Sequence, residues 1–182
     1  MIQHQDIFPV RIFTIEFPNP ELVLSEVLDK KKQIQQISDA FVNEDVSNYI
    51  TDFKRPVVIE SFEKGFAFIN EKLKEQNQYI SIYQYWTAFY TKNAFHAPHI
   101  HASNSLENQN YSGVLYLTNH GSTTAFAPSE SCYAKEWVLP SGFGNATMFP
   151  KTLIHSYRPA ETWSDAERII MSFNAKIGVN DD

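Results

Sequence analysis

Cysteine and long apolar runs are the clearest shortages in this sequence. Cys132 is the one cysteine among 182 residues, so no disulfide can form within the chain, as is typical of proteins in reducing compartments. No stretch approaches the roughly 18 apolar residues of a membrane span, and the first residues lack the basic and apolar regions of a signal peptide. We therefore expect a cytoplasmic chain that does not associate with membranes.

Basic charge is also in short supply. The chain has 15 Lys and Arg against 21 Asp and Glu, which gives a net charge of −6, whereas nonspecific nucleic-acid binders normally carry a basic surface. The densest basic run, Lys30–Lys32, is typical of the exposed face of a helix. We therefore do not expect nucleic acid as a partner.

Apolar residues, by contrast, make up 43% of the chain and aromatic residues 14%, which is enough for one sizeable core rich in β-structure. We predict a single domain over residues 1–182. In its first part, 1–78, apolar residues recur at strand and then at helical spacing. The predicted elements there are a strand over 7–17 and helices over 19–37 and 61–76, with N-caps at Asn19 and Ser61.

Short apolar or alternating runs fill the second part, 79–177, and turn residues such as glycine and proline separate them. Runs of this kind at this spacing predict β-strands in a sandwich or barrel. We expect the N-terminal helices to pack against one of its sheets. The predicted strands lie within 79–90, 97–103, 112–119, 123–128, 136–140, 145–150 and 167–177.

Half of the six histidines are crowded into one short segment, 95–104. Side chains two residues apart on a strand point to the same face, so His99 and His101 face the same way and can bind one cation. His96 lies at an odd offset from both, so in a regular strand it points elsewhere, and we assign it to the rim. The alternative is a solvated loop in which the histidines are incidental.

The best candidate for a third metal ligand is His155. It lies 54 residues after His101 and follows an apolar run and the turn at Pro150, which places it at a strand edge. The two other histidines, His4 and His120, have the sequence surroundings of loop residues. The residue pattern thus favours a metal site made by two strands.

Several short motifs occur in an order that resembles a known enzyme family. They are "HIH" at 99–101, "SGVLYL" at 112–117, "FP" at 149–150 followed by His155, and "RI" with "SFN" at 168–169 and 172–174. Together they resemble the non-haem iron, 2-oxoglutarate-dependent oxygenases, in detail over 95–175 and more loosely over most of the chain. The segment "YLTNHGSTTAF" is similar to one in the prolyl hydroxylase relatives, with Ser122 where a second glycine is common.

The resemblance implies a mainly β fold with flanking helices. That fold is a double-stranded β-helix, a jelly-roll or cupin-like barrel, buttressed by the N-terminal helices. It also implies Fe(II), held by His99, His101 and His155, with 2-oxoglutarate and O₂ as cosubstrates. The implied activity is hydroxylation of an unidentified small-molecule or peptide substrate, with release of succinate and CO₂.

A buried dicarboxylate needs a fixed cationic partner. Arg168 begins the apolar strand "RIIMSFN" and is the candidate for this clamp; the alternative is a surface arginine that guards the strand. Ser172 and Asn174 lie at even offsets from Arg168 and so share its face, where Ser172 can donate its hydroxyl. We expect a further donor from one of three tyrosines, which are otherwise aromatic core residues: Tyr83, Tyr85 and Tyr116.

The sequence departs from the family pattern at two positions. His101 stands where the family usually has a carboxylate ligand, so we predict a site of three histidines, with Glu107 as a reserve ligand. Ile170 stands two residues after Arg168, where a polar partner of the clamp is often found.

Two other functions are compatible with the sequence. The segment 144–155 resembles the second motif of the cupins, which would make the chain a metal-dependent dioxygenase or isomerase without 2-oxoglutarate, although Glu107 is displaced from the position that the first cupin motif requires. The second alternative function is that of a non-catalytic β-barrel binding module. Cys132 lies in a polar stretch, and we predict that it is not catalytic.

Overall fold

The structure is a computed structural model that describes residues 2–7, 10–39, 47–101, 111–119, 124–127, 136–139, 142–157 and 167–179. The helices in these ranges are α1 (Pro20–Asp29), α2 (Lys31–Asp39) and α3 (Glu60–Leu73). The strands are β1 (Ile2–Ile7), β2 (Val10–Glu16), β3 (Ser47–Thr51), β4 (Gln78–His99), β5 (Tyr111–Tyr116), β6 (Thr124–Ala127), β7 (Trp137–Val138), β8 (Asn145–Pro150), β9 (Ile154–Tyr157) and β10 (Arg168–Val179). The described helices all lack the length and apolar character of a membrane-crossing segment.

The strands pair antiparallel in the order β1-β2-β8-β5-β10-β4-β9-β6-β7, and β3 pairs with β4. Strand β4, which is 22 residues long, joins two sheets. Most of it pairs with β10 in the larger sheet, whereas its last residues pair with β9 in the smaller one. The predicted mainly β class with flanking helices is therefore confirmed.

Strand β10 shows how the larger sheet separates two cores. Its side chains alternate between the sheet's two faces, as they do in any strand. Ile169, Met171, Phe173 and Ala175 pack in the core that includes the helices. On the other face, Arg168, Ile170 and Ser172 line a cavity between the two sheets. The histidines line this cavity too.

Several predicted elements have different bounds in the structure. The strand predicted over 7–17 is β2, and β1, which precedes it at residues 2–7, was not predicted. Both strands extend the larger sheet beside β8. The predicted boundary at residue 78 therefore marks the start of β4 within one continuous sheet. The helix predicted over 19–37 is two helices, because the backbone at Lys30 leaves the helical conformation. Strands β3 and β9 were not predicted, since each is short and lacks a strong alternating pattern.

Of the two predicted N-caps, Asn19 is confirmed in position and Ser61 is wrong. Asn19 does precede α1, but it has a left-handed backbone (φ 48°, ψ 53°) and its side chain makes no capping hydrogen bond. Helix α3 begins at Glu60, one residue before the predicted cap Ser61, and its N-cap residue Ile59 has no side chain that can cap it.

Glu26 of α1 caps α3 instead. The first N–H groups of a helix have no partner within it, and the Glu26 carboxylate accepts those of Glu60 at 3.0 Å and Ser61 at 2.8 Å. It also accepts the Ser61 hydroxyl at 2.6 Å and Lys30 Nζ at 2.6 Å. Burial alone would raise the pKa of Glu26, but these hydrogen bonds outweigh it and lower the pKa from 4.5 to about 2.

We expect Glu26→Gln to lower the free energy of unfolding by about 1–2 kcal/mol at pH 7, because one capping acceptor is lost. The depressed pKa means that the stabilising effect of Glu26 is complete above pH 4.5 and is lost as pH falls towards about 2. The difference from the parent should shrink over that range in urea unfolding experiments. Glu71→Gln, which removes an exposed pair with Lys74, is the control and should change little. An equal effect of both changes would contradict the capping role.

Candidate functional site

Two strands from different parts of the chain bring three histidines together. His99, at the end of β4, lies directly opposite His155 on β9. The N–H of His101 donates to Lys151 O at 2.9 Å, so the pairing continues past the end of β4. The Nε2 atoms of His99 and His101 are 3.3 Å apart, and one nitrogen from each of the three rings lies within 4.8 Å of the others.

Backbone carbonyls fix the orientation of two of these rings. Nδ1 of His99 is 2.7 Å from Ala97 O, and Nδ1 of His155 is 3.0 Å from Leu153 O. A carbonyl oxygen can only accept, so both Nδ1 atoms carry the proton. In the neutral ring this leaves the Nε2 lone pair free to bind a metal.

A network of side chains fixes the orientation of the His101 ring. The Ser112 hydroxyl donates to Asn174 Oδ1 at 3.0 Å. Its oxygen is therefore available to accept from His101 Nδ1, which is 2.8 Å away, and Asn174 Oδ1 is a second acceptor at 3.3 Å. All three histidines are thus held in one tautomer, with Nε2 as the ligand atom.

Burial keeps these imidazoles neutral. It lowers the pKa of His99 and His101, and it lowers the pKa of His155 to about 3. Neutral imidazole is the form that binds metals. Two nitrogens bound at right angles to one metal, each about 2.1 Å away, are about 3.0 Å apart, and the 3.3 Å between His99 and His101 is close to that spacing. The donor set therefore fits a divalent transition metal.

His96 lies beside this cluster, which corrects the prediction that it points elsewhere. The pairing of β4 with β9 shifts register between His96 and His99, so the two side chains reach the same side despite their odd offset. The His96 ring stacks on the His99 ring with centroids 3.9 Å apart and lines the same cavity. Pro98, which cannot donate a ladder hydrogen bond, lies within this irregular stretch.

Arg168 lines the same cavity as the three histidines. It is 2% exposed, and its Nε and Nη1 atoms have no hydrogen-bond partner among the residues that the structure describes. No ion pair among the described residues includes Arg168. A buried cation without a countercharge is costly, and an anion bound beside Arg168 would offset that cost.

Three tyrosines surround the guanidinium. The Arg168 Cζ atom is 3.9 Å from the ring centroid of Tyr157, 4.9 Å from that of Tyr90 and 5.8 Å from that of Tyr116. The Tyr157 hydroxyl is buried and has no hydrogen-bond partner within the described ranges, so it is free of such contacts there to donate to a group beside Arg168. Sequence reasoning missed Tyr90 and Tyr157, although Tyr157 lies two residues after His155 on the same strand face.

Among the other predicted cosubstrate residues, Tyr116 lies near Arg168, and Ser172 lines the same cavity. The Tyr116 hydroxyl is already paired with Thr124 Oγ1 at 2.7 Å. Asn174 shares their face, as predicted from its even offset, but it contacts His101. Ile170, at the position of the missing polar partner, packs in the apolar core.

Tyr83 and Tyr85 lie on the opposite side of the sheet, and the structure does not bring them to the histidines. The Tyr85 hydroxyl donates to Glu63 at 2.7 Å and accepts from Ile59 N at 3.2 Å. Tyr83 is 43% exposed and lies where β4 has one residue more than β10. His4 lies within strand β1 rather than in the predicted loop. The remaining predictions, on His120, Glu107 and Cys132, lie outside the part of the chain that the structure describes.

Solved structures with the same fold are numerous, although no family model and no curated protein matches the chain. A prolyl hydroxylase from Trichoplax adhaerens, in complex with a peptide of hypoxia inducible factor, has a TM-score of 0.63 and 16% identity over 91% of this chain and 83% of its own. The viral collagen prolyl hydroxylase of Paramecium bursaria Chlorella virus-1, a 2-oxoglutarate complex, has a TM-score of 0.60 and 14% identity over 91% and 95%.

A third similar structure is HygX from Streptomyces hygroscopicus with nickel, 2-oxoglutarate and hygromycin B bound, with a TM-score of 0.56 and 10% identity over 91% of this chain and 82% of its own. Identities this low show a common fold and nothing finer. The chain therefore shares the overall, mainly β fold of these structures.

Proposed function

We propose that this protein is an oxygenase that uses Fe(II), 2-oxoglutarate and O₂ to hydroxylate a small-molecule or peptide substrate. One observation carries the proposal: the buried Arg168 guanidinium, which has no ion pair among the described residues, lines the same cavity as three histidines whose Nε2 atoms are available to a metal. Of the similar structures, HygX holds nickel and 2-oxoglutarate, and the viral prolyl hydroxylase is a complex with 2-oxoglutarate.

His99, His101 and His155 would hold the iron. Iron with 2-oxoglutarate supplies the oxidising chemistry, in which O₂ is reduced and 2-oxoglutarate becomes succinate and CO₂. Arg168 would bind the far carboxylate of 2-oxoglutarate, with the hydroxyls of Tyr157 and Ser172 as further donors. The surrounding tyrosine rings exclude water, which strengthens the charge interaction at Arg168.

The buried Arg168 favours this function over a cupin enzyme that does not use 2-oxoglutarate. A metal-only reaction gives no reason for an unpaired cation in the same cavity as the histidines, whereas a dicarboxylate cosubstrate does. The same residues argue against a non-catalytic binding module, because such a module has no need of three histidines that share one tautomer.

The direct test is turnover of 2-oxoglutarate by the purified protein. Iron-loaded protein should convert 2-oxoglutarate to succinate slowly without substrate, and faster with a matching member of a peptide and metabolite panel. Succinate is measured by NMR, with metal-free protein as the control. Iron binding without any 2-oxoglutarate binding would contradict the proposal and favour the cupin alternative.

We expect Asn174 to support metal binding by orienting His101, rather than to bind 2-oxoglutarate. We expect Asn174→Ala to weaken metal binding by about 10–100-fold, because the His101 ring loses one group that orients it. Asn174→Asp keeps an acceptor and should retain most of the affinity. Titration with Ni(II) as a redox-inert probe measures the effect, and the control is Gln84→Ala, which removes two 3.5 Å contacts, to Asn174 and to Phe53 O, and none to a histidine. Unchanged Ni(II) affinity in Asn174→Ala would show that the network is dispensable.

A further inference from the structure

A groove of about 640 Å³ lies on the helix side of the larger sheet. Helix α3 lines one side of it through residues such as Phe62 and Phe66, and β4 lines the other through residues 80–85. No residue of this groove lines the histidine cavity. The groove is therefore separate from the proposed oxygenase site.

The side formed by β4 is an open strand edge. One edge of β4 pairs with β10 over residues 78–90, and β3 covers the other edge only from Ala88 onwards. Among the described residues, no strand pairs with that second edge between Gln78 and Thr87. Open edges of this kind accept an additional strand unless something blocks them.

Side chains complete the hydrogen bonding at both ends of this open edge. Asn70 of α3 imitates a neighbouring strand, because its Nδ2 donates to Ile80 O and its Oδ1 accepts from Ile80 N, both at 2.8 Å. At the other end, Asp52 Oδ1 accepts from Thr87 N at 2.7 Å, and Thr51 Oγ1 donates to Thr87 O at 2.8 Å. Ile80 and Thr87 therefore both direct their backbone groups away from β10.

The backbone between these ends faces the groove without a partner. Residues of an antiparallel strand alternate between directing their N–H and C=O groups at the partner and away from it. Two residues after Ile80, Ile82 again directs its N–H and C=O groups away from β10. Tyr83 is the extra residue of the bulge, and Tyr85, two residues before Thr87, also directs its backbone groups into the groove. No hydrogen bond to these four backbone groups occurs within the described part of the chain.

The rest of the groove suits an extended peptide with apolar and basic side chains. Val58 and Tyr83, which line it, are 55% and 43% exposed and supply apolar surface, whereas Phe62 and Phe66 form its buried floor. Glu63 is its charged lining residue, and no Lys or Arg lines the groove. Peptide backbone matches the open donors and acceptors, and a basic side chain complements Glu63.

We propose that this groove binds an extended, basic and apolar segment of a partner protein, which adds a strand to β4 between Ile80 and Thr87. Binding of this type uses backbone hydrogen bonds for affinity and alternate side chains for selectivity. The site docks a protein segment independently of the chemistry at the histidines, so it does not depend on the proposed oxygenase activity.

The probe is a fluorescein-labelled ten-residue peptide in which valine and lysine alternate, and the comparison peptide has glutamate in place of lysine. By fluorescence anisotropy, we expect the lysine peptide to bind about tenfold or more tightly than the glutamate peptide. Ile82→Pro removes the outward N–H at an edge position that tolerates proline and should weaken binding about tenfold. Ile82→Ala keeps the N–H and is the matched control.

Amide hydrogen exchange on the parent chain gives an independent readout that needs no variant. The Ile82 and Tyr85 amides should exchange rapidly in the free protein and become protected with the lysine peptide, while the Ile80 and Thr87 amides stay protected throughout. Failure of the lysine peptide to bind, or equal binding by Ile82→Pro and Ile82→Ala, would overturn the proposal. Protection of Ile82 and Tyr85 in the free protein would also overturn it, because a segment of this chain would then cover the edge.

Discussion

Arg168→Ala is expected to lower the affinity of the iron-loaded, oxygen-free protein for 2-oxoglutarate by a hundred- to several-thousand-fold. The change leaves the far carboxylate of 2-oxoglutarate buried without its cation. Removing one partner of a buried ion pair costs about 3–5 kcal/mol, and each 1.4 kcal/mol is about tenfold in affinity. The measurement is a titration that follows the absorbance of the metal–2-oxoglutarate chelate.

Two further variants make this result specific. Arg168→Lys should recover only part of the affinity, because lysine keeps the charge but lacks the planar, two-pronged donor geometry of arginine. Arg55→Ala removes an exposed arginine and should leave the affinity unchanged. Metal content should be equal in all variants, since no Arg168 atom is a ligand. If Arg168→Ala binds 2-oxoglutarate as well as the parent does, the carboxylate is bound elsewhere.

The strand period explains why much of the site was predictable from the sequence. A period of two placed His99 with His101, and Arg168 with Ser172 and Asn174, and the structure shows both sets on common faces. The strand period alone could not predict the third histidine, because the pairing of β9 with β4 is a contact between distant segments of the chain. His155 was chosen because it follows an apolar run and the turn at Pro150, and the resemblance to an enzyme family supported that choice.

Register irregularities explain most of what the sequence did not predict. The shift between His96 and His99 brings His96 to the histidine cluster, and the bulge at Tyr83 leaves that side chain at an open edge of the sheet. An extra residue in a strand reverses which face every following side chain occupies. Sequence periodicity cannot locate such a residue, because the apolar pattern on either side of it remains regular.

The N-terminal cap of α3 illustrates a second limit of prediction from the sequence. Ser61 has the residue type of an N-cap, but the acceptor is the Glu26 carboxylate from another helix. Capping by a distant residue depends on how α1 packs against α3, and local sequence rules consider only the helix itself. The same applies to Asn70 and Asp52, which satisfy the backbone of β4 from outside the strand.

The second large effect concerns the metal. His99→Ala, His101→Ala and His155→Ala are each expected to lower metal affinity by more than about a hundredfold, because loss of a ligand exceeds the 10–100-fold cost of losing a group that merely orients one. In the parent, metal at about a hundred times its Kd should add about 2.7 kcal/mol of stability, which raises Tm by about 5–10 °C for a chain of this size. Each of the three variants should lose this rise in Tm.

His96→Ala is the matched control, because His96 lines the same cavity and stacks on His99 without belonging to the group of three that can hold one ion. It should retain most of the rise in Tm with Fe(II) under oxygen-free conditions, or with Ni(II). If His96→Ala abolishes the rise while one of the three ligand variants retains it, His96 replaces that residue as a ligand. The site would then contain a different set of three imidazoles, still with Arg168 in the same cavity.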